Sequence, residues 1–213
     1  MMKTILLSAV VMMFSTACSV FGIQSVEEAP YKMVREDKPY EIRDYSPLVV
    51  AQTRVNADFK EAGNVAFRKL FAYISGDNEA QQKIAMTAPV IAEPTTSNSG
   101  EKIAMTAPVT AQKEGDSWLY RFVLPDSYSL DTAPKPLDSD VSILETVEKR
   151  VATIRYSGRA TDESRQKQTE ALMNWIASED LVPVSEPRWA GYNAPFTIPF
   201  FRRNEVLVDI SKP

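Results

Sequence analysis

The sequence predicts an α+β fold: one curved antiparallel sheet or distorted β-barrel, built from two similar β-α-β halves, with two helices flanking it. Three observations predict it. Strand-like runs group around two separated helical runs, in the order β-β-α-β-β-β-β-α-β. Each half of that order holds one helix flanked by strands. An octapeptide, Lys-Ile-Ala-Met-Thr-Ala-Pro-Val, occurs twice, at Lys83–Val90 and Lys102–Val109, 19 residues apart. It occurs twice and stops, so it is a duplicated element and not a solenoid.

The N-terminus reads as a targeting segment. Lys3 precedes an apolar run, Ile5 to Phe14, that is too short to span a bilayer as a helix. Small residues Ser15, Thr16 and Ala17 then lead to Cys18, the single cysteine of the chain. This arrangement resembles a bacterial lipobox cut before Cys18, with Ser15 where a large aliphatic residue is usual. A lone cysteine cannot staple a secreted fold. Two readings stand: a lipidated Cys18, or an ordinary secretory signal cut near Ala17. Ser19 after the cysteine fits an outer-membrane lipoprotein facing the periplasm. The expected division is a signal peptide over 1–17, a lipidated cysteine and tether over 18–30, and a folded domain over 31–213.

Tyr40 to Tyr45 and Leu48 to Val55 read as strands. Asp58 caps a helix, with Glu61 three residues on. Phe59, Ala62, Ala66, Phe67, Leu70, Phe71 and Ile74 recur at helical spacing, and Gly76 ends the run. Lys60, Asn64, Arg68 and Lys69 form the outer face. In the repeats, Ile84, Met86, Ala88 and Val90 alternate with polar or small residues, as do Ile103, Met105, Ala107 and Val109. The segment from Glu93 to Glu101 has loop chemistry, so the two copies read as a long hairpin. Pro89 and Pro108 cannot donate to a ladder and belong at a bulge or edge. Trp118 to Leu124 is a strand. Pro125 to Asp140 is a loop centred on Pro134-Lys135-Pro136. Val141 to Tyr156 is strand-like, broken by the charges from Glu145 to Arg150. Thr161 opens a second helix that runs to about Ser178, with Ala171, Leu172, Trp175 and Ile176 facing in. Pro183 to Pro199 reads as irregular and Val206 to Ile210 as a last strand.

Composition narrows the function. Hydrophobic residues make 44% and charged residues 24% of the chain, which is ordinary for a globular protein. The net charge is −4, so no basic field exists to collect phosphates, and nucleic acid is not the expected partner. The chain has no histidine. That removes Ser-His-Asp and Cys-His catalysis and every histidine-ligated metal or haem. Phosphate loops, Cys-x-x-Cys and His-Glu motifs are missing too, and no enzyme activity or metal site is expected. Glu145 and Glu148 could in principle exchange protons, but read better as a charged strand edge.

Several stretches together resemble the haem-binding protein/SOUL family. They are Tyr73-Ile74-Ser75-Gly76-Asp77-Asn78, both octapeptides, Pro134-Lys135-Pro136, and Ser157-Gly158. The C-terminal runs Gly191-Tyr192-Asn193-Ala194-Pro195-Phe196 and Arg202-Arg203-Asn204-Glu205-Val206 complete the set. The resemblance covers about Tyr31 to Ile210. It implies a distorted barrel of two like halves, similar to bacterial regulator effector-binding domains, with an apolar groove that takes haem or another tetrapyrrole. It implies a surface beside the first helix, with Arg68 and Lys69 as cations for propionates. No axial histidine is carried over.

A haem face needs apolar width, aromatic faces and a few cations at the rim. The residues expected to supply them are Phe67, Arg68, Lys69, Phe71, Met86, Met105, Tyr192, Phe196, Phe200, Phe201 and Arg203. Each also has a structural reading. Met86 and Met105 suit core packing as well as iron ligation. Tyr192 can cap the barrel by a hydrogen bond. Arg203 and Glu205, alternate on one strand, can pair with each other, and Arg68 and Lys69 can face solvent. The expected function is reversible binding of haem or a related tetrapyrrole, for sequestration or transport in the cell envelope. An envelope interaction protein that takes a peptide or lipid, or a small-molecule hydrolase on the same fold, remains open.

Overall fold

The computed structural model of the protein describes residues 26–80, 100–194 and 196–212. In chain order the elements are β1 (Glu27–Glu28), β2 (Lys32–Asp37), β3 (Tyr40–Tyr45), β4 (Val49–Val55), α1 (Phe59–Ile74), β5 (Asn78–Glu79), β6 (Thr106–Ala107) and β7 (Val109–Glu114). Then follow β8 (Ser117–Val123), β9 (Lys135–Pro136), β10 (Val141–Glu145), β11 (Lys149–Tyr156), α2 (Asp162–Ser178), β12 (Arg188–Gly191), a 3-10 turn at Pro199–Phe201, and β13 (Asn204–Ile210).

One nine-stranded sheet carries the fold, in the order β10-β4-β8-β7-β12-β13-β11-β3-β2, with every pairing antiparallel. Apart from β2 the order is a palindrome of two units, β3-β4-α1-β7-β8 and β10-β11-α2-β12-β13. In each unit the strand before the helix pairs with the last strand, and the last with the one between. The units meet where β7 pairs with β12, Ala111 opposite Trp189 and Val109 opposite Gly191. They also exchange their first strands: β3 pairs with β11, and β10 with β4.

That exchange forces the sheet to curl. β3 and β4 lie six strand positions apart, about 29 Å in a flat sheet at ~4.8 Å per step. Only residues 46–48 join them, and so short a link reaches about 14 Å. The link between β10 and β11 is under the same constraint. The two links cross: the Thr146 amide donates to the Leu48 carbonyl at 2.8 Å, and the Leu48 amide to Thr146 Oγ1 at 2.9 Å. The sheet nevertheless stays open, since its edge strands β10 and β2 do not pair with each other. It is a curved sheet and not a closed barrel.

Both helices pack on one face of the sheet. α1 begins at Asp58, whose carboxylate accepts from the Glu61 amide at 3.0 Å. It buries Ala62, Ala66, Leu70, Tyr73 and Ile74. Phe67 and Phe71, expected on the inner stripe, are 39% and 48% exposed. The alanines let the helix lie close to the sheet, and the stripe is wider than the strip of sheet it covers. α2 begins at Thr161, which accepts from the Ser164 amide, and buries Leu172, Trp175 and Ile176. The separate hydrophobic clusters beneath the helices reproduce the two units.

The structure departs from the sequence-based expectation at three further places. The second octapeptide is not one alternating strand. Ile103 is buried and Ala104 exposed, but Thr106, Ala107 and Pro108 are all buried, and Pro108 divides β6 from β7. The first octapeptide, and with it the expected hairpin, lies outside the described residues. The second copy joins the end of α1 through the Ile103 amide on the Ile74 carbonyl at 2.8 Å. The stretch from Pro183 to Pro199, expected to be irregular, contains β12 at the centre of the sheet. The end of the expected tether is part of the fold. β1 pairs with β6, Ala29 is 4% exposed, and its amide donates to the Ala107 carbonyl.

Candidate functional site

A groove runs between α1 and α2, over the seam where β7 meets β12. Its floor is aromatic. The alternation of β8 brings Trp118 and Tyr120 to the helix side, β12 adds Trp189, and the first residue of α1 adds Phe59. The rings of Phe59 and Trp118 are 4.8 Å apart, and those of Trp118 and Trp189 are 5.5 Å apart. Phe67, Tyr156 and Asn193 line the end nearer the β12–β13 loop. This part of the groove holds about 740 Å³, open side included, within the usual ~300–1,000 Å³ of ligand pockets.

One buried cation sits in it. The Arg165 guanidinium lies 3.5 Å from the centre of the Phe59 ring and 5.8 Å from that of Trp189. It also pairs with Asp162, itself solvent-exposed. Burial pulls Arg165 below its ordinary value, partly offset by Asp162. Burial also pushes the Tyr120 phenol up to about 12, against the pull of Arg165. Tyr156 is raised by burial as well. Both phenols are therefore neutral at physiological pH, and the Tyr120 hydroxyl donates to the Phe59 carbonyl at 3.1 Å.

The residues expected from sequence do not come together in one place. Phe67 lines the groove, and its ring stacks on Phe71 at 5.7 Å. Phe196, Phe200 and Phe201 project from the β12–β13 loop and are 66%, 72% and 42% exposed. Polar bonds fix that loop: Arg202 Nε donates to the Thr197 carbonyl at 2.8 Å, and the Gly158 amide to the Pro199 carbonyl at 2.9 Å. Arg68 lies on the exposed face of α1, donating to the Asn64 carbonyl. Lys69 pairs with Asp140 and, at 4.0 Å, with Asp138.

Tyr192 and Arg203 are elsewhere, inside the concave face. The Tyr192 hydroxyl donates to Glu205 Oε2 at 2.7 Å, Arg203 Nε to Glu205 Oε1 at 2.9 Å, and Arg203 also pairs with Glu28. They form a buried network on that face, away from the groove, and Arg203 and Glu205 pair as their alternate spacing allowed. Met105 packs against the α1 core, and Met86 lies outside the described residues. Phe59, Trp118, Tyr120, Tyr156, Arg165 and Trp189 were not among the residues expected at the site. The alternation Trp118-Tyr120-Phe122 was a usable signal for Tyr120. Trp189 had none, because its strand was not recognised, and Arg165 sits among the polar residues of its helix.

The family profile described as SOUL heme-binding protein matches residues 26–100 and 95–209. The chain belongs to the SOUL haem-binding protein family. Curated relatives include heme-binding protein 2 of Homo sapiens, 34% identical across 89% of this chain and 89% of that protein. Heme-binding protein 2 of Mus musculus is 31% identical, across 87% and 85%. Among solved structures, the EcmrR C-terminal domain superposes with a TM-score of 0.58 at 12% identity, over 86% of this chain and 99% of that one. A hydrolase from Listeria innocua superposes at 0.52 with 11% identity, over 84% and 94%. At such identities the structural likeness is one of fold alone.

For a SOUL protein the question is whether these residues fit haem. The groove offers an aromatic, largely apolar lining with Arg165 beside it. It does not fit axial ligation by histidine, which the chain lacks. The groove phenols are also kept protonated, unlike a ligating tyrosinate.

Proposed function

We propose that this SOUL protein binds haem or a related tetrapyrrole reversibly in the groove between its helices. The observation that carries the reading is the aromatic floor of Phe59, Trp118, Tyr120 and Trp189 with Arg165 among them. Haem would supply a flat macrocycle, two carboxylates and an iron. Phe67 and Trp189 would hold the ring by stacking and exclude water from it. Arg165 would meet an acidic edge. Binding by faces without an axial bond makes the complex easy to release, which suits sequestration or transport over redox chemistry.

The proposal extends to the cell envelope, with Cys18 carrying lipid and the domain facing the periplasm. Support for this part is the N-terminal sequence alone. Titration with haemin tests the binding: saturable Soret changes and quenching of tryptophan fluorescence are expected at micromolar haem, and their absence rejects the reading. Cys18→Ser tests the anchor, since it should release the protein from the membrane fraction.

A further inference from the structure

The concave face of the sheet, opposite the helices, has an opening of its own. Its walls are aliphatic: Val50, Val123 and Leu207 line it beside Arg121, Lys149 and Arg188. It holds about 620 Å³ including its mouth. The pairing Gln52–Arg121–Thr110 across β4, β8 and β7 sets Arg121 on this side, and the pairing of Arg188 with Leu207 sets Arg188 there too.

The charges here do not balance. Lys149 and Arg188 share one carboxylate, Asp209, at 2.8 and 2.5 Å. Arg54 and Glu114, the other charged groups near Arg121, pair with each other. Arg121 is partly buried, and Nε donates to Gln52 Oε1 at 3.0 Å. Among the described residues no carboxylate reaches its guanidinium. Burial and then Arg188 pull Arg121 below its ordinary value, outweighing the more distant Glu114 and Asp209, as expected for a cation with no carboxylate in direct contact. A half-desolvated guanidinium costs free energy unless an anion meets it.

We propose that this concave pocket is a second binding site, for a small aliphatic carboxylate of the medium-chain fatty-acid class. Its carboxylate pairs with Arg121, beside Arg188 and Lys149, and its chain lies on Val50, Val123 and Leu207. The branched aliphatic walls suit a flexible chain, whereas the aromatic groove on the opposite face suits a flat ring. The site is independent of the haem reading, since the two openings lie on opposite faces of the sheet.

Calorimetric titration of the purified protein with octanoate tests it, alongside n-octanol, inorganic phosphate and haemin. Saturable octanoate binding is expected, at least about tenfold tighter than n-octanol, because the charge-assisted bonds go to the carboxylate. Arg121→Gln should weaken octanoate about tenfold and Arg121→Lys less, with melting temperatures at or above that of the unaltered protein. Neither haemin nor phosphate should displace octanoate. The proposal is overturned by no saturable binding, by equal affinity for octanol, or by unchanged affinity in Arg121→Gln. Displacement by haemin would place octanoate in the groove, and displacement by phosphate would make the site a bare anion site; either overturns it. Should Arg121→Gln fail to fold, the octanol comparison and Arg121→Lys decide.

Discussion

Arg43 on β3 and Glu205 on β13 form a two-point ion pair across the intervening strand β11, at 2.7 and 2.9 Å, and neither residue is exposed to solvent. Glu41, Arg203 and Tyr192 complete the network. The pair ties the strand that the first unit lends to the second unit's own last strand, so it works at the point where the two units interlock.

Removing one partner leaves the other charged and buried. Glu205→Gln and Arg43→Met are each expected to cost about 3–5 kcal/mol of folding stability. Making both changes in one chain should cost less than the two single changes together. Urea denaturation of the four proteins measures this, and additive losses would contradict the coupling.

The same network sets the pH range of stability. Burial pushes the Glu205 carboxyl up, but the hydrogen bonds and charges of Arg43 and Arg203 outweigh it and hold it below its ordinary 4.5. Asp209 is held down in the same way by Arg188 and Lys149. A depressed carboxyl stabilises the fold fully above its unfolded value, and that contribution fades as pH falls through the folded value. Burial, reinforced by Glu205, raises Tyr192 well above 10.0. A raised phenol favours the fold below pH 10.0 and loses that contribution above it. Urea midpoints should therefore be level through neutrality, fall below about pH 4.5, and fall again above about pH 10. Glu205→Gln should flatten the acid limb.

Gly100 tests how the second octapeptide is held. A Cβ there would sit 1.7 Å from the Gly76 carbonyl oxygen, which is backbone and cannot swing aside. Close by, the Asn78 side chain donates to the Tyr73 and Glu101 carbonyls and accepts from the Glu101 amide. Gly100→Ala should force these strands of chain apart and cost about 1–3 kcal/mol, read as a lower urea midpoint.

In the groove, Phe67 is exposed enough to be cut back with little loss of stability. Phe67→Ala should raise the dissociation constant for haemin by about two- to tenfold, the worth of one aromatic contact. Iron-free protoporphyrin IX should bind about as tightly as haemin, because no histidine waits for the metal. Fluorescence titration compares the two ligands, and a strong preference for haemin would point to an iron ligand instead.

Both helices, their caps at Asp58 and Thr161, and strands β3, β4, β8 and β11 were legible along the chain. Each shows its own period or cap within a few residues, and burial of one face enforces that period. Phe67 and the exposed phenylalanines of the C-terminal loop were legible as residue types. Their grouping was not, and neither was the removal of Tyr192 and Arg203 into the concave network. A side chain's partners depend on which strand lies next to its own.

By itself the sequence determined the fold class, the family, the two-unit construction and the lack of any imidazole, because these follow from local pattern and composition. Only the tertiary structure decided that β12 bridges the units, that the first strands are exchanged and the sheet stays open, and that an aromatic groove and a cationic pocket lie on opposite faces. Strand order is fixed by hydrogen bonds between residues far apart in the chain. β12 has only four residues and lies among prolines, so its place comes from β7 and β13 and not from any period of its own.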